Sequence, residues 1–298
     1  MVTAPYRTGV IFITAAFSFL LALSPASSCR GAVKTDLPPP ADGMSTVFLP
    51  ATAMDGAPAE VPVDIYSPPG VKKFAGDILV LPGWKFSRVR WHRETVLVQE
   101  ARKRGFRLVF PDMMITLYES EYYPQTSGWV RWGPMPGGLW VREVLIPHMR
   151  KRGLFMDGGK NFLLGLSTGG RGVALVHLQN PGVFHGGAAL SGDFDQSTMA
   201  GDKLMAAMYG PYQNHPHRWK TIDNPSAMVS RWSMPLYIGH GRKDNVVPLS
   251  QSKNFYEKLK TAHPGLKLVF SEPPAAGHDF RYWSSEVVPV LDFFLSLR

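Results

Sequence analysis

A single cysteine, Cys29, among 298 residues excludes an intramolecular disulfide, so packing and hydrogen bonding alone must hold the fold. Charged residues make up only 18% of the chain, with no low-complexity domain, which excludes a disordered protein. There is no internal repeat, and hence no sign of a solenoid or of propeller blades. No apolar run reaches the roughly 20 residues that a membrane-crossing helix needs. The net charge of +9 comes without a nucleic-acid module or a basic tract interleaved with stacking aromatics. Its basic residues are spread through helix-like stretches such as 88–104 and 142–152 and read as solvated helix faces, so no nucleic-acid partner is expected.

What is present is a 45% hydrophobic chain long enough to bury one large core. At the amino terminus Arg7, the apolar run from Gly9 to Leu23 and the small residues Ser24-Pro25-Ala26-Ser27-Ser28 have the form of a secretory signal over residues 1–29. Cys29 falls directly behind them and resembles the lipid-acceptor cysteine of bacterial lipoproteins, with Ala26-Ser27-Ser28-Cys29 as the lipobox. That motif usually has leucine where Ala26 stands and glycine or alanine where Ser28 stands, so ordinary cleavage and free export is the other reading. Either way the expectation is an exported protein, periplasmic, envelope-associated or secreted, with membrane attachment only through Cys29. Residues 30–44, with Pro38-Pro39-Pro40, read as an extended tether, and 45–298 as one catalytic domain.

Along that domain strand patterns alternate with helical ones. Val61–Tyr66, Asp77–Leu81, Arg107–Phe110, Asn161–Leu164, Gly187–Leu190, Pro235–Gly239 and Leu266–Phe270 read as strands. Trp91–Arg104, Leu139–Lys151 and Ser284–Leu297 read as helices. Such alternation predicts an α/β fold, a mostly parallel central sheet flanked by helices on both faces.

Gly165-Leu166-Ser167-Thr168-Gly169 sits between one of those strands and a helix. A serine hydroxyl is a poor nucleophile at neutral pH and must be lifted onto a tight strand-to-helix turn where a base can reach it, and the flanking glycines permit that turn. The pattern alone arises by chance in roughly one chain in ten of this length. Its weight comes from two later segments, His240-Gly241-Arg242-Lys243-Asp244 and Ala276-Gly277-His278-Asp279. Serine, acid and histidine each follow a predicted strand, where an open α/β sheet places its catalytic groups. Asp193, Asp195 and Asp223 are competing acids, and Asp279 is too close to His278 in sequence to orient it easily.

With Arg171-Gly172 after the elbow, Ser191-Gly192, Tyr209-Gly210, Trp219 and Asn224-Pro225, the chain resembles the α/β hydrolases. The narrower likeness is to the esterase D group of S-formylglutathione hydrolases, feruloyl-type esterases and mycolyltransferases, over roughly residues 75–298. The resemblance implies an α/β-hydrolase fold with Ser167 as nucleophile, His278 as general base and Asp244 as its orienting acid. It also implies an oxyanion hole of two backbone N–H groups, from Trp84 and Thr168. Leu81-Pro82-Gly83-Trp84 departs from the family's His-Gly segment at Pro82, which leaves the backbone donors in place.

The long stretch from Met113 to Gly138 is the candidate recognition loop, with Tyr122, Tyr123, Trp129 and Trp132 as substrate-binding aromatics. Met199, Met205, Met208 and Tyr209 are a second candidate wall. His215 and His217 lack an accompanying acid or cysteine cluster, so no metal and no cofactor is expected. The reading is a serine hydrolase of carboxylic esters, from small molecules to polysaccharide or lipid esters. The alternatives are an acyltransferase of the mycolyltransferase type, a prolyl-oligopeptidase-like peptidase and a catalytically silent envelope-binding lipoprotein.

Overall fold

The computed structural model describes residues 41–52, 58–130 and 136–297; the expected export signal, Cys29, Arg131 and Trp132 lie outside them. Short runs of branched and aromatic residues buried on both faces need a hydrogen-bonded neighbour on each side. They find it in one eight-stranded sheet: β1 (Met44–Thr52), β2 (Pro58–Tyr66), β3 (Gly76–Leu81), β4 (Phe106–Pro111), β5 (Asn161–Leu166), β6 (Gly186–Leu190), β7 (Leu236–Gly239) and β8 (Leu268–Ser271). The order is β1-β2-β4-β3-β5-β6-β7-β8. The β1-β2 and β2-β4 pairs are antiparallel, and every later pair is parallel.

The helices are α1 (Val89–Glu94), α2 (Leu97–Arg104), α3 (Gly137–Trp140), α4 (Ile146–Arg150), α5 (Thr168–Gln179), α6 (Lys203–Tyr209), α7 (Pro216–Thr221), α8 (Leu249–Ala262) and α9 (Phe280–Leu295). The helix expected over 91–104 is two. Thr95 takes an extended conformation between them, and its Oγ1 accepts the Leu97 N–H at 3.2 Å. The closing helix starts earlier than its sequence pattern suggests because Asp279 Oδ1 accepts the Tyr282 N–H at 2.9 Å and caps α9. Between α3 and α4 the chain passes through a π-helical turn at Val141–Leu145.

Side chains alternate across the sheet. Leu79, Leu81, Val109 and Leu163 join the core on one face with residues of α5 and α8. Ile78, Val80, Leu108, Phe162 and Leu164 join the other with Trp91, Leu97, Trp283 and Val287 from α1, α2 and α9. A third, smaller cluster lies outside these layers. It packs Ile115, Leu117, Tyr123 and Val130 against Met205, Met208, Tyr209 and Trp219. It therefore joins the insertion after β4 to the insertion after β6.

One buried cation ties this insertion to the sheet. Arg171 of α5 is fully buried; one of its terminal nitrogens pairs with Asp193 at 2.9 Å, and the other donates to Gln196 at 3.2 Å, to the Tyr209 hydroxyl at 3.1 Å and to the Asp223 carbonyl. Burial alone would raise the Asp193 pKa, and Arg171 works against that. Removing only the cation leaves a buried acid without its partner. We expect Arg171→Met to lower unfolding stability by about 3–5 kcal/mol, measured by urea denaturation. A loss below about 1 kcal/mol would show that the network is not structural.

Candidate active site

Strand β5 ends at Leu166 and α5 begins at Thr168, so Ser167 alone turns the chain, at φ 55° and ψ −125°. Such a backbone costs on the order of 1–3 kcal/mol and persists only where its surroundings fix it. Here the Ser167 N–H donates to Leu190 O and its carbonyl accepts from Gly170, both at 2.8 Å. A side chain at Gly165 would strike the Gly169 carbonyl, and one at Gly169 would strike the Leu81 and Pro82 carbonyls. The glycines are thus set by close approach of the helix to its own strand and of the β3 end to the helix.

His278, in the loop after β8, reaches both neighbours. Its Nε2 lies 3.0 Å from Ser167 Oγ and its Nδ1 lies 2.7 Å from Asp244 Oδ2. The remaining acid oxygen, Oδ1, accepts the N–H groups of Val246 and Val247, each at 2.9 Å. Burial opposes charge on Asp244, but hydrogen bonds from His240, His278 and the Val247 N–H outweigh it and hold its carboxyl well below the usual carboxylate range. Two backbone bonds lock the acid loop to the histidine loop, Lys243 N–H to Ala276 O at 2.8 Å and Arg242 N–H to Pro273 O at 3.1 Å. The indole of Trp283 stands edge-on to the His278 ring, centroids 5.0 Å apart, and is itself held by Nε1–H donating to Ser191 Oγ at 3.1 Å.

The competing acids are engaged elsewhere. Asp193 pairs with Arg171, Asp195 accepts from Ser197, Asn224 and Lys258, Asp223 accepts the Ser120 N–H, and Asp279 caps α9. Only Asp244 meets the histidine.

Thr168 contributes the first N–H of α5, where the helix dipole adds to its pull on negative charge. Trp84 follows β3 and lies in the turn closed by Phe86 N–H to Gly83 O at 3.0 Å. Neither N–H donates to a protein acceptor among the described residues. The turn is anchored from three sides. The buried Tyr118 hydroxyl donates to Pro82 O at 2.9 Å, Lys85 N–H donates to Met114 O at 2.8 Å, and Arg88 pairs with Asp64 at 2.9 Å and Asp112 at 3.1 Å. Sequence reasoning placed Tyr118 in a substrate loop; its role in the structure is to hold this turn.

Of the four aromatics expected to bind substrate, Trp129 is 57% exposed and meets Trp84 edge-on at 6.4 Å. Tyr122 is half-buried against the third cluster, and Trp132 lies outside the described residues. The Tyr123 ring is buried, packs on Tyr209 at 6.1 Å and carries the Arg218 guanidinium at 3.8 Å. Met205, Met208 and Tyr209 are likewise buried in that cluster instead of forming an open wall. Trp283 and the second imidazole at Asp244, His240, were missed. Trp283 has no motif to mark it, and His240 stands in the acid motif with nothing in the sequence to show its ring turned back onto the acid. No group of three His, Cys, Asp or Glu able to hold a metal occurs among the described residues.

A hydroxyl on a strained strand-to-helix turn, held by an imidazole on this sheet, defines a serine hydrolase of the α/β-hydrolase class. The chain belongs to the prolyl oligopeptidase family, whose model matches residues 144–296. No curated protein matches it in sequence. Among solved structures it is similar to an S-formylglutathione hydrolase from Agrobacterium tumefaciens, at 15% identity and TM-score 0.65, covering 87% of this chain and 97% of that one. It is similar also to MPT51 from Mycobacterium tuberculosis, at 16% identity and TM-score 0.63, covering 86% and 99%. A puromycin hydrolase shares 18% identity at TM-score 0.59, covering 85% of this chain but 39% of that one.

If the histidine activates the hydroxyl, a fluorophosphonate probe will label Ser167 in the intact protein. Labelling is expected to disappear in Ser167→Ala and to fall steeply in His278→Ala, read by mass spectrometry of the labelled peptide. Equal labelling of the Ser167→Ala protein would place the reactive group elsewhere.

Proposed function

We propose that the chain cleaves carboxylic esters through an acyl-enzyme on Ser167. The observation that carries this reading is the continuous hydrogen-bonded chain from Ser167 Oγ through His278 to an Asp244 carboxylate. In this reading Ser167 Oγ attacks the ester carbonyl as His278 Nε2 takes its proton, and the N–H groups of Thr168 and Trp84 receive the charge that develops on the carbonyl oxygen. The imidazolium then gives its proton to the departing alcohol. Water, deprotonated by the same imidazole, attacks the acyl-enzyme and restores the serine. Asp244 keeps the proton of the resting imidazole on Nδ1 and stabilises the imidazolium between steps.

An ester rather than a peptide substrate is supported by the likeness to the S-formylglutathione hydrolase and to a ferulic acid esterase, whose chains are covered to 97% and 98%. Peptide cleavage is the second reading, favoured by membership of the prolyl oligopeptidase family. Trp129, with Tyr122 and Trp132, is assigned to substrate recognition. The export reading of residues 1–29, with or without a lipid on Cys29, is part of the proposal and rests on sequence alone.

p-Nitrophenyl esters of graded acyl length, a feruloyl ester and peptidyl p-nitroanilides separate the two readings. Ester turnover absent from Ser167→Ala is expected, with Asp244→Asn reduced on the order of 10⁴ in kcat. Faster anilide than ester turnover would establish the peptidase instead. Trp129→Ala is expected to change the ranking of esters while leaving turnover of the smallest acetyl ester near the parent value. An unchanged ranking would return Trp129 to a packing role.

A further inference from the structure

The acid of this site faces a second imidazole. His240 closes β7 and is completely buried; its Nε2 lies 2.9 Å from Val247 O and 3.3 Å from Asp244 Oδ2, the same oxygen that receives His278. Its Nδ1 lies 2.8 Å from Ser252 Oγ of α8. A carbonyl oxygen can only accept, so Nε2 carries a proton whichever way the Ser252 hydroxyl turns. That proton is bonded to Val247 O, with Asp244 Oδ2 at 3.3 Å as its second neighbour. Asp244 Oδ2 therefore sits between two imidazole N–H donors, while Oδ1 is filled by two backbone N–H groups.

We propose that His240 is a positioning residue for the catalytic acid: its Nε2–H fixes the Asp244 carboxylate in the plane that meets His278 and draws off part of the charge that would otherwise fall wholly on His278. The inference rests on the reading of Ser167, His278 and Asp244 given above. It explains why a histidine is buried where no solvent or substrate reaches it.

The other ionisable groups around the pair are paired elsewhere, exposed or neutral. Glu286 of α9 accepts from Tyr237 of β7 and from Ser271 of β8, and Asp193 beyond β6 is paired with Arg171. Arg242 is exposed and paired with Glu272, and Lys243 is exposed. Asp279 accepts the Tyr282 N–H. Burial pushes the Tyr282 phenol up, so it stays neutral. On α8, Lys253 is exposed and Lys258 is paired with Asp195.

Three variants of the full chain, His240→Leu, His240→Gln and Ser252→Ala, test the proposal by pH profiles of ester turnover. With the donor gone, the whole carboxylate charge acts on His278, which then holds its catalytic proton to higher pH. The acid limb of kcat/KM is expected to move up by on the order of half a unit to one unit in His240→Leu. kcat should fall about tenfold or somewhat more, as for other partners that orient an active-site ligand, with KM unchanged. Glutamine can present an N–H near the Nε2 position, so His240→Gln should recover most of both effects. Ser252→Ala, which removes the contact that orients the ring, should shift the limb in the same direction by less, and it stands as the test if His240→Leu does not fold. A folded His240→Leu protein with parental kcat and acid limb overturns the proposal. So does a His240→Gln protein as impaired as His240→Leu, because the loss would then follow shape and not the donor. Absence of ester turnover and of fluorophosphonate labelling in the parent protein would instead overturn the underlying reading of the site.

Discussion

The whole site depends on one close approach, that of the β3 carboxyl end to the first turn of α5. The Leu81 carbonyl accepts from the Trp91 indole at 3.2 Å and lies where any side chain at Gly169 would have to be. Because nothing stands between them, the turn after β3 can lie beside the amino end of α5. Two segments more than 80 residues apart in sequence thus stand side by side. A single methyl group at Gly169 would push them apart. The tethers from Tyr118, Lys85 and Arg88 act on the same turn, and they need that contact to have something to hold.

Around this contact the protein buries charge in two different ways. Arg171 neutralises Asp193 and fixes the insertion that carries Tyr209 and Trp219, so its charge is spent on architecture. Among the described residues Asp244 is held by N–H donors, with no Lys or Arg among its hydrogen-bond partners. Its charge is therefore stabilised without being cancelled, and it faces the His278 imidazole.

Most of the sheet was legible because its strands are short apolar runs, and each expected strand lies within three residues of an observed one at either end. The helix over 91–104 was misread as continuous since periodicity does not register a break made by one extended threonine and a bond from Val96 N–H to Ser284, 188 residues away. Ser167, Asp244 and His278 could be picked out because each follows a strand, and strand ends are visible in sequence. The fate of the aromatics was not. Tyr118, Tyr122, Tyr123 and Trp129 stand in one loop with similar composition, yet one holds a turn, one is half-buried against the third cluster, one is packed under an arginine and one is exposed. Those differences arise from which distant segment each ring meets. His240 shows the same limit, because a motif names the residue but not the direction of its ring.

Ser167 and His278 are 111 residues apart, and Asp244 is 34 residues before the histidine. During vectorial synthesis Ser167 is made long before His278, and the last strand and α9 must dock before the two can meet. Contacts of such separation form late in folding. A partly folded chain thus carries a serine on an incomplete sheet and no means of activating it. The contacts of Ser167, His278 and Asp244 therefore come together only with completion of the fold.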